Sequence, residues 1–217
     1  MSDPVKRRRY DSSRRQEQAR QSRARILGAA RDRFLADGYA ATSLPAVAAA
    51  AGVSVESIYK AFRNKAGVLK AVFDVAIAGD DEPVPIMERD WVAAINAEPD
   101  IATKLRRYSD HLVASMPRTA PILLLARAAA TLDADVAAVW EQLEQERLIG
   151  MTAFAGHLTG TGRLRVDQDG ARDVLWAMNS VSLYELLVLE RGWDGARYGR
   201  FVADTLVAAL APPAGDQ

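Results

Sequence analysis

Apolar residues recur at three- and four-residue steps along most of the chain, the spacing that lines one face of an α-helix. Ile26, Leu27, Ala30 and Phe34 mark a helix over 22–37, and Gly38 stops it. Thr42 or Ser43 caps a second helix over 44–51, with Pro45 in the first turn, where a missing N–H is tolerated, and Gly52 at its end. Ser54 caps a third over 55–62, and Asn64 a fourth over 65–78. Gly79 to Pro85 interrupts the pattern and predicts a domain boundary. Beyond it the periodicity predicts helices over 87–97, 100–116, 119–131, 134–159, 169–191 and 195–211, with Pro99, Pro117, Asp133, the 160–162 stretch and 192–195 as breaks. No strand alternation, Asn-Gly hairpin or internal repeat is present. Alanine, at 40 of 217 residues, strengthens the helical reading. The fold class is therefore all-α.

Charge changes the picture. The net charge of zero divides into about +9 over residues 1–70 and about −9 over the remainder. The first twenty residues, with Lys6, Arg7, Arg8, Arg9, Arg14 and Arg15, are expected to form a flexible basic arm. A basic front and an acidic rear are what a nucleic-acid-binding segment joined to a second domain would show; a charged tail without a partner shows the same imbalance. The absence of Cys excludes cystine frameworks, thiol catalysis and iron–sulfur clusters, and His111 and His157 have no metal-ligand spacing. No apolar run reaches the roughly 18 residues of a membrane helix, and no apolar stretch follows the basic N-terminus. A cytoplasmic protein is expected.

The informative stretch is Thr42 to Lys65. Two short helices are joined by a tight turn in which Gly52 takes positive φ, Ala48 permits close helix approach, and Val47, Val53 and Ile58 fill a small core. This is helix-turn-helix spacing, which presents the second helix to a DNA major groove. Val55, Glu56, Ser57 and Lys60 lie on its first turns, within reach of base edges, together with the cap Ser54. Glu56 suits a cytosine amine but repels phosphate. Thr42 and Ser43 offer hydroxyls and backbone N–H groups to a phosphate, and Lys65 sits at a helix N-terminus, which favours anions. Arg20, Arg23 and the arginines of the arm suit the DNA backbone or a minor groove.

These residues carry a resemblance. Arg25-Ile26-Leu27, Ala29-Ala30, Phe34, Gly38-Tyr39, Thr42-Ser43, Ala51-Gly52-Val53-Ser54, Ile58-Tyr59, Phe62, Asn64-Lys65 and Leu69 resemble, in register, the N-terminal signature of the TetR family of transcriptional regulators. The resemblance covers about residues 23–73. It implies a homodimeric repressor with a DNA-binding domain over 21–66, a connecting helix 4, a ligand-binding and dimerisation domain over 79–211 and a short tail over 212–217. It also implies phosphate contacts at Tyr59 and Lys65, and a small-molecule inducer that shifts helix 4 and releases a double-stranded DNA operator. Gly67 stands where the family often has the Glu of a capping box, so helix 4 is expected to start less firmly.

The final helices are apolar over wide arcs. With the resemblance, Val181, Leu186, Leu189, Tyr198, Phe201, Val202, Thr205, Leu206 and Ala209 are the expected dimer interface, a four-helix bundle across a two-fold axis. The same pattern also fits core helices of a monomer. Tyr108, His111, Trp140, Trp176 and Asn179, polar or aromatic residues set in apolar helices, are the candidate ligand contacts; ordinary core or surface packing fits each of them better taken singly. Dinucleotide-binding, Walker and nucleophile-elbow motifs are absent, and no cofactor or metal is expected, so an enzyme is not. Two other functions fit the same features: a DNA-binding activator or ligand-independent regulator, and a helical protein-interaction module with only non-specific DNA affinity.

Overall fold

The computed structural model describes the backbone from Pro4 to Pro212 and side chains from Arg15 onward. The described residues are helical, without strands. They form two compact units: residues up to Val75 together with Leu125–Val139, and Ala76–Leu124 together with Trp140 onward.

In the first unit, α1 spans Pro4–Asp37, α2 Leu44–Ala51, α3 Val55–Phe62 and α4 Lys65–Ala78. α2, α3 and α4 have the bounds that the periodicity predicts. α1 is longer: the segment expected as a flexible arm is helical from Pro4. Its Ala, Arg, Gln and Glu residues are good helix formers, and Glu17 accepts hydrogen bonds from Arg20 and Gln21 on the next turn. The side chains of Lys6 to Arg9 and Arg14 lie outside the described residues, as do residues 213–217 of the expected tail.

Ile26, Leu27, Ala30 and Phe34 of α1 are buried with Leu44, Val47, Ala48 and Ala51 of α2, Ile58 and Phe62 of α3, and Val68, Leu69 and Val72 of α4. Gly52 takes φ 64° and ends α2, its N–H bonding back to Ala49. Residues 125–139, the last turn of α6 (Ile101–Ala129), its turn, and the first turn of α7 (Ala134–Thr161), belong to this unit through Ala126 and Val136, both fully buried.

The second unit contains α5 (Asp90–Asn96), most of α6 and α7, α8 (Gln168–Met178), α9 (Val181–Tyr184) and α10 (Gly195–Leu210). A break in α6 at Pro117 is expected from the sequence, but the helix runs through both Pro117 and Pro121. Both prolines are exposed, while Leu112, Met116 and Ala120 bury the opposite face. Thr119 and Ser115 donate their hydroxyls to the carbonyls of Ser115 and Leu112, and Arg118 bonds that of Ala114. Burial thus outweighs two lost N–H donors.

The opposite departure occurs at the expected helix over 169–191. It breaks at Asn179 and Ser180, restarts as α9 and continues as a π-helical segment over Glu185–Glu190. Asn179 caps α8, and the Ser180 side chain accepts from the N–H of Ser182. The Asn-Ser pair is a stop and a start in succession. Lys104 is fully buried; its ammonium donates to the Asn96 carbonyl and the Thr161 hydroxyl, tying α6 to α5 and α7. Burial holds its pKa below the usual lysine range.

Candidate nucleic-acid interface and ligand site

α3 is built to show one face. Ile58 and Phe62, four residues apart, are buried, and Glu56, Ser57, Tyr59 and Lys60 are exposed. Val55 is half-buried. The Ser54 hydroxyl accepts the N–H of Ser57 at 3.2 Å and lies 3.0 Å from the Ser57 hydroxyl, so the first turn is closed. Glu56 bends toward the helix start. Hydrogen bonding from its own backbone N–H, then from Ser54, holds its carboxyl below the usual range. This is a helix-end acid stabilised by the local dipole. Tyr59 stands outward, 53% exposed.

Ser43 caps α2 by accepting the N–H of Ala46, and its exposed hydroxyl retains a proton for an outside acceptor. Thr42 differs from its expected role. It is 2% exposed, and its hydroxyl donates to the Gly38 carbonyl at 2.8 Å. Its side chain closes the α1–α2 turn and does not face outward.

Lys65 also has a task the sequence did not reveal. Its ammonium donates to the carbonyls of Tyr39 at 2.8 Å and Thr42 at 3.1 Å, and stands 4.1 Å from the centre of the Tyr39 ring. The first residue of α4 therefore fastens the turn that carries Ser43. Charge-assisted bonds of this kind are worth about 1.5–3 kcal/mol each.

The α3–α4 corner is tight. Arg63 takes φ 70° and ψ −52°, and the N–H of Asn64 bonds the Phe62 carbonyl across it. This is a positive-φ γ-turn, a strained arrangement for a side-chain-bearing residue. Asn64 accepts the N–H of Gly67 at 2.8 Å, so α4 begins on an Asn cap. A Cβ on Gly67 would lie 2.1 Å from the Phe62 carbonyl oxygen. The glycine expected to loosen the start of α4 is what lets it close against α3.

The turn from α6 to α7 meets this corner. Asn64 donates its amide to Asp135 at 2.9 Å, and the Tyr39 hydroxyl bonds Asp133. Burial first, then the charges of Asp133 and Asp135, push the Tyr39 phenol up. The sequence marks Asp133 only as a helix break and shows neither pairing, because the partners lie some seventy or more positions away.

In the second unit, Tyr108 and Asn179 come together. Asn179 donates its amide to the buried Tyr108 hydroxyl, which in turn donates to the Met151 sulfur at 3.4 Å. Burial pushes the Tyr108 phenol up to about 12, against the opposing effects of Asn179 and Arg147. The other expected ligand contacts lie elsewhere. His111 stacks on Trp91 at 3.5 Å, and burial with the nearby Arg118 charge brings its pKa down to about 4. The Trp176 ring lies under the Arg147 guanidinium at 3.2 Å, and Trp140 packs partly buried against the core. A cleft of about 550 Å³ runs between Pro99–Ala102, Thr161–Arg163 and Ala211–Pro212, and none of the five expected residues lines it.

The expected dimer residues divide. Tyr198, Val202 and Leu206 are fully buried and Val181 nearly so, all inside the chain's own core, so they cannot meet a second copy. One face of α10 supplies them to its own bundle, a partition that periodicity alone does not reveal. Leu186, Leu189 and Phe201 are exposed, and Thr205 and Ala209 are partly so. Trp193 stands edge-on to Phe201 at 5.6 Å, beneath Arg197.

Residues 26–72 match the family model described as bacterial regulatory proteins, tetR family. That stretch runs from the middle of α1 into α4 and holds the helix-turn-helix. No curated protein matches the chain in sequence. Among solved structures, a TetR-family regulator from Mesorhizobium loti superposes with a TM-score of 0.64 at 17% identity, covering 88% of this chain and 95% of that one. A transcriptional regulator from Saccharomonospora viridis in complex with choline gives 0.63 at 17%, covering 87% and 96%. The regulator FadR from Bacillus subtilis in complex with stearoyl-CoA gives 0.64 at 17%, covering 85% and 97%. At these identities the likeness shows that the chain has the fold of TetR-family regulators. Among the described residues no group of three or more His, Asp or Glu could hold a metal, and no helix is long and apolar enough to cross a membrane.

Proposed function

We propose that this chain is a tetR-family homodimeric repressor that leaves a near-palindromic operator when a small molecule enters its second unit. The exposed face of α3 carries the reading: Ser57, Tyr59 and Lys60 stand outward on a short, capped helix whose other face is buried. A two-fold dimer sets two such helices in successive major grooves, about 34 Å apart. In that arrangement Val55, Glu56, Ser57 and Lys60 read base edges, while Ser43, Tyr59 and the α2 N-terminus hold phosphates. Similar folds crystallised with choline and with stearoyl-CoA support a ligand-bearing second unit. The ligand shifts the equilibrium only by binding the DNA-incompetent state more tightly.

Selection from random duplex DNA at physiological salt tests the reading. A near-palindrome is the expected product. Equal recovery of all sequences, with steep salt dependence, would instead identify a module that only grips phosphate. Release of the selected duplex by a ligand separates a switchable repressor from a ligand-independent regulator, and reporter output separates repression from activation.

The dimer has its own expected result. Leu189→Glu with Phe201→Glu charges the exposed apolar strip without entering the core. Sedimentation should then find monomer at concentrations where the parent chain is dimeric, with dissociation strengthened at least tenfold. A double variant that remains dimeric would remove this strip from the interface.

A further inference from the structure

Three phenols belong to the core of the second unit. Tyr108 comes from α6, Tyr184 from α9 and Tyr198 from α10, and all three are more than nine-tenths buried. Tyr184 meets Tyr198 edge-on at 5.3 Å, and Tyr108 lies 4.8 Å from Phe154. Burial first, then the influence of Tyr108 and Tyr184, pushes the Tyr198 phenol up. The three share one core cluster with Met151, Met178, Leu175 and Val181.

The cluster has an excess of donors. The Tyr198 hydroxyl is buried without a protein hydrogen-bond partner. Tyr108 spends its proton on the sulfur of Met151, a weak acceptor, and its oxygen already receives the Asn179 amide. An unmatched buried hydroxyl is destabilising, so its presence in an otherwise apolar core asks for a reason. The helix break at Asn179–Ser180 and the π-helical segment after Tyr184 adjoin the cluster, and such irregular turns recur at functional sites.

We infer that this phenol cluster is the ligand site, and that its ligand is a neutral, largely apolar molecule presenting one carbonyl-type oxygen to the Tyr198 and Tyr108 hydroxyls. The inference rests on the ligand-responsive reading above and gives that ligand a chemical class. An oxygen acceptor supplies what the two phenols lack. The apolar body packs against Phe154, Tyr184 and the two methionines. A charged ligand is disfavoured: no Asp or Glu among the described residues is buried there to balance a cation, and Arg147, whose charge acts on Tyr108, is already paired with Glu144 and stacked on Trp176. Burial raises the phenols, so both remain protonated donors across the physiological range.

The test compares three probes of similar size on the full chain: acetophenone, its carbonyl-free counterpart ethylbenzene, and benzoate. Thermal melting over a concentration series gives the three affinities. Acetophenone should bind at least fivefold more tightly than ethylbenzene, the worth of one good hydrogen bond, and benzoate more weakly than either. In Tyr198→Phe the carbonyl preference should fall to about one, with ethylbenzene affinity retained. The melting point of that variant without probe should equal or exceed the parent's, since only an unmatched hydroxyl is lost. Tyr108→Phe, which also loses the Asn179 contact, should reduce the preference as well. Equal affinities in the parent chain, a preference surviving in Tyr198→Phe, tightest binding by benzoate, or no stabilisation by acetophenone would each overturn the inference. Site selection on DNA needs no probe, so a failed ligand class leaves the regulator reading standing, and a failed operator selection leaves the carbonyl preference intact.

Discussion

Gly67→Ala should lower the stability of the chain by about 2 kcal/mol and remove sequence-specific DNA binding. The sign is the informative part. At a helical position with ordinary φ, replacing Gly by Ala normally stabilises by about 0.5–1 kcal/mol. At Gly67 the added carbon would lie 2.1 Å from the Phe62 carbonyl oxygen, and the obstacle is backbone, not a movable side chain. Relief requires α4 to withdraw from the end of α3, which opens the Arg63 γ-turn and the Asn64 cap together. Overpacking of this kind costs about 1–3 kcal/mol, enough to reverse the helical gain. Gly28, in α1 with no atom within 4 Å of its notional Cβ, is the control. Urea unfolding of both variants decides the matter: Gly28→Ala should shift the midpoint upward and Gly67→Ala downward. A stabilised Gly67→Ala would mean that the corner is looser than described.

Lys65→Ala should weaken binding to every duplex by at least tenfold, without changing which sequence is preferred. Its ammonium bonds two carbonyls of the α1–α2 turn, so its loss leaves the Tyr39 and Thr42 carbonyls without their cation and frees the turn carrying Ser43. The expected loss of stability is about 2 kcal/mol. Salt dependence separates this role from a direct phosphate contact. A lysine that neutralises a phosphate contributes about one unit to the slope of log affinity against log salt. For Lys65→Ala the slope should stay within half a unit of the parent's, because the charge serves the fold. A drop of a full unit with unchanged stability would return Lys65 to the DNA. The paired variant Ser57→Ala/Lys60→Ala should behave oppositely, leaving the melting point in place and altering sequence preference. An unchanged preference there would displace α3 from the groove.

The helical class and the bounds of α2, α3 and α4 were legible because each signal is local. Ser43 and Ser54 cap their own helices, and Ile58 and Phe62 repeat within one turn. The candidate reading face of α3 followed from the same short-range logic. What escaped the sequence depends on distant partners. Pro117 read as a stop because the buried face that carries α6 past it is assembled with other helices. Thr42 and Lys65 looked available for phosphate because their acceptors, Gly38, Tyr39 and Thr42, become neighbours only once the turn is folded. Tyr198, Val202 and Leu206 resembled an interface because an apolar stripe does not say whether its cover comes from its own chain or another. Asn179 was legible as a pocket candidate beside Tyr108, but Tyr198 acquires meaning only when its hydroxyl is seen to be unmatched.

The meeting of the α6–α7 turn with the corner of α4 bears on modularity. A linear map invites a cut near Gly79 and the transplantation of everything before it onto another regulator. The compact unit around α3 is not linear: it includes Leu125–Val139, with Val136 in its core and Asp133 and Asp135 bonded to Tyr39 and Asn64. A graft ending at residue 78 would leave those partners behind, and the recipient's own hairpin would supply strangers in their place. A working chimaera has to exchange two separate stretches of chain, so the reading head and the tip that touches it are inherited together.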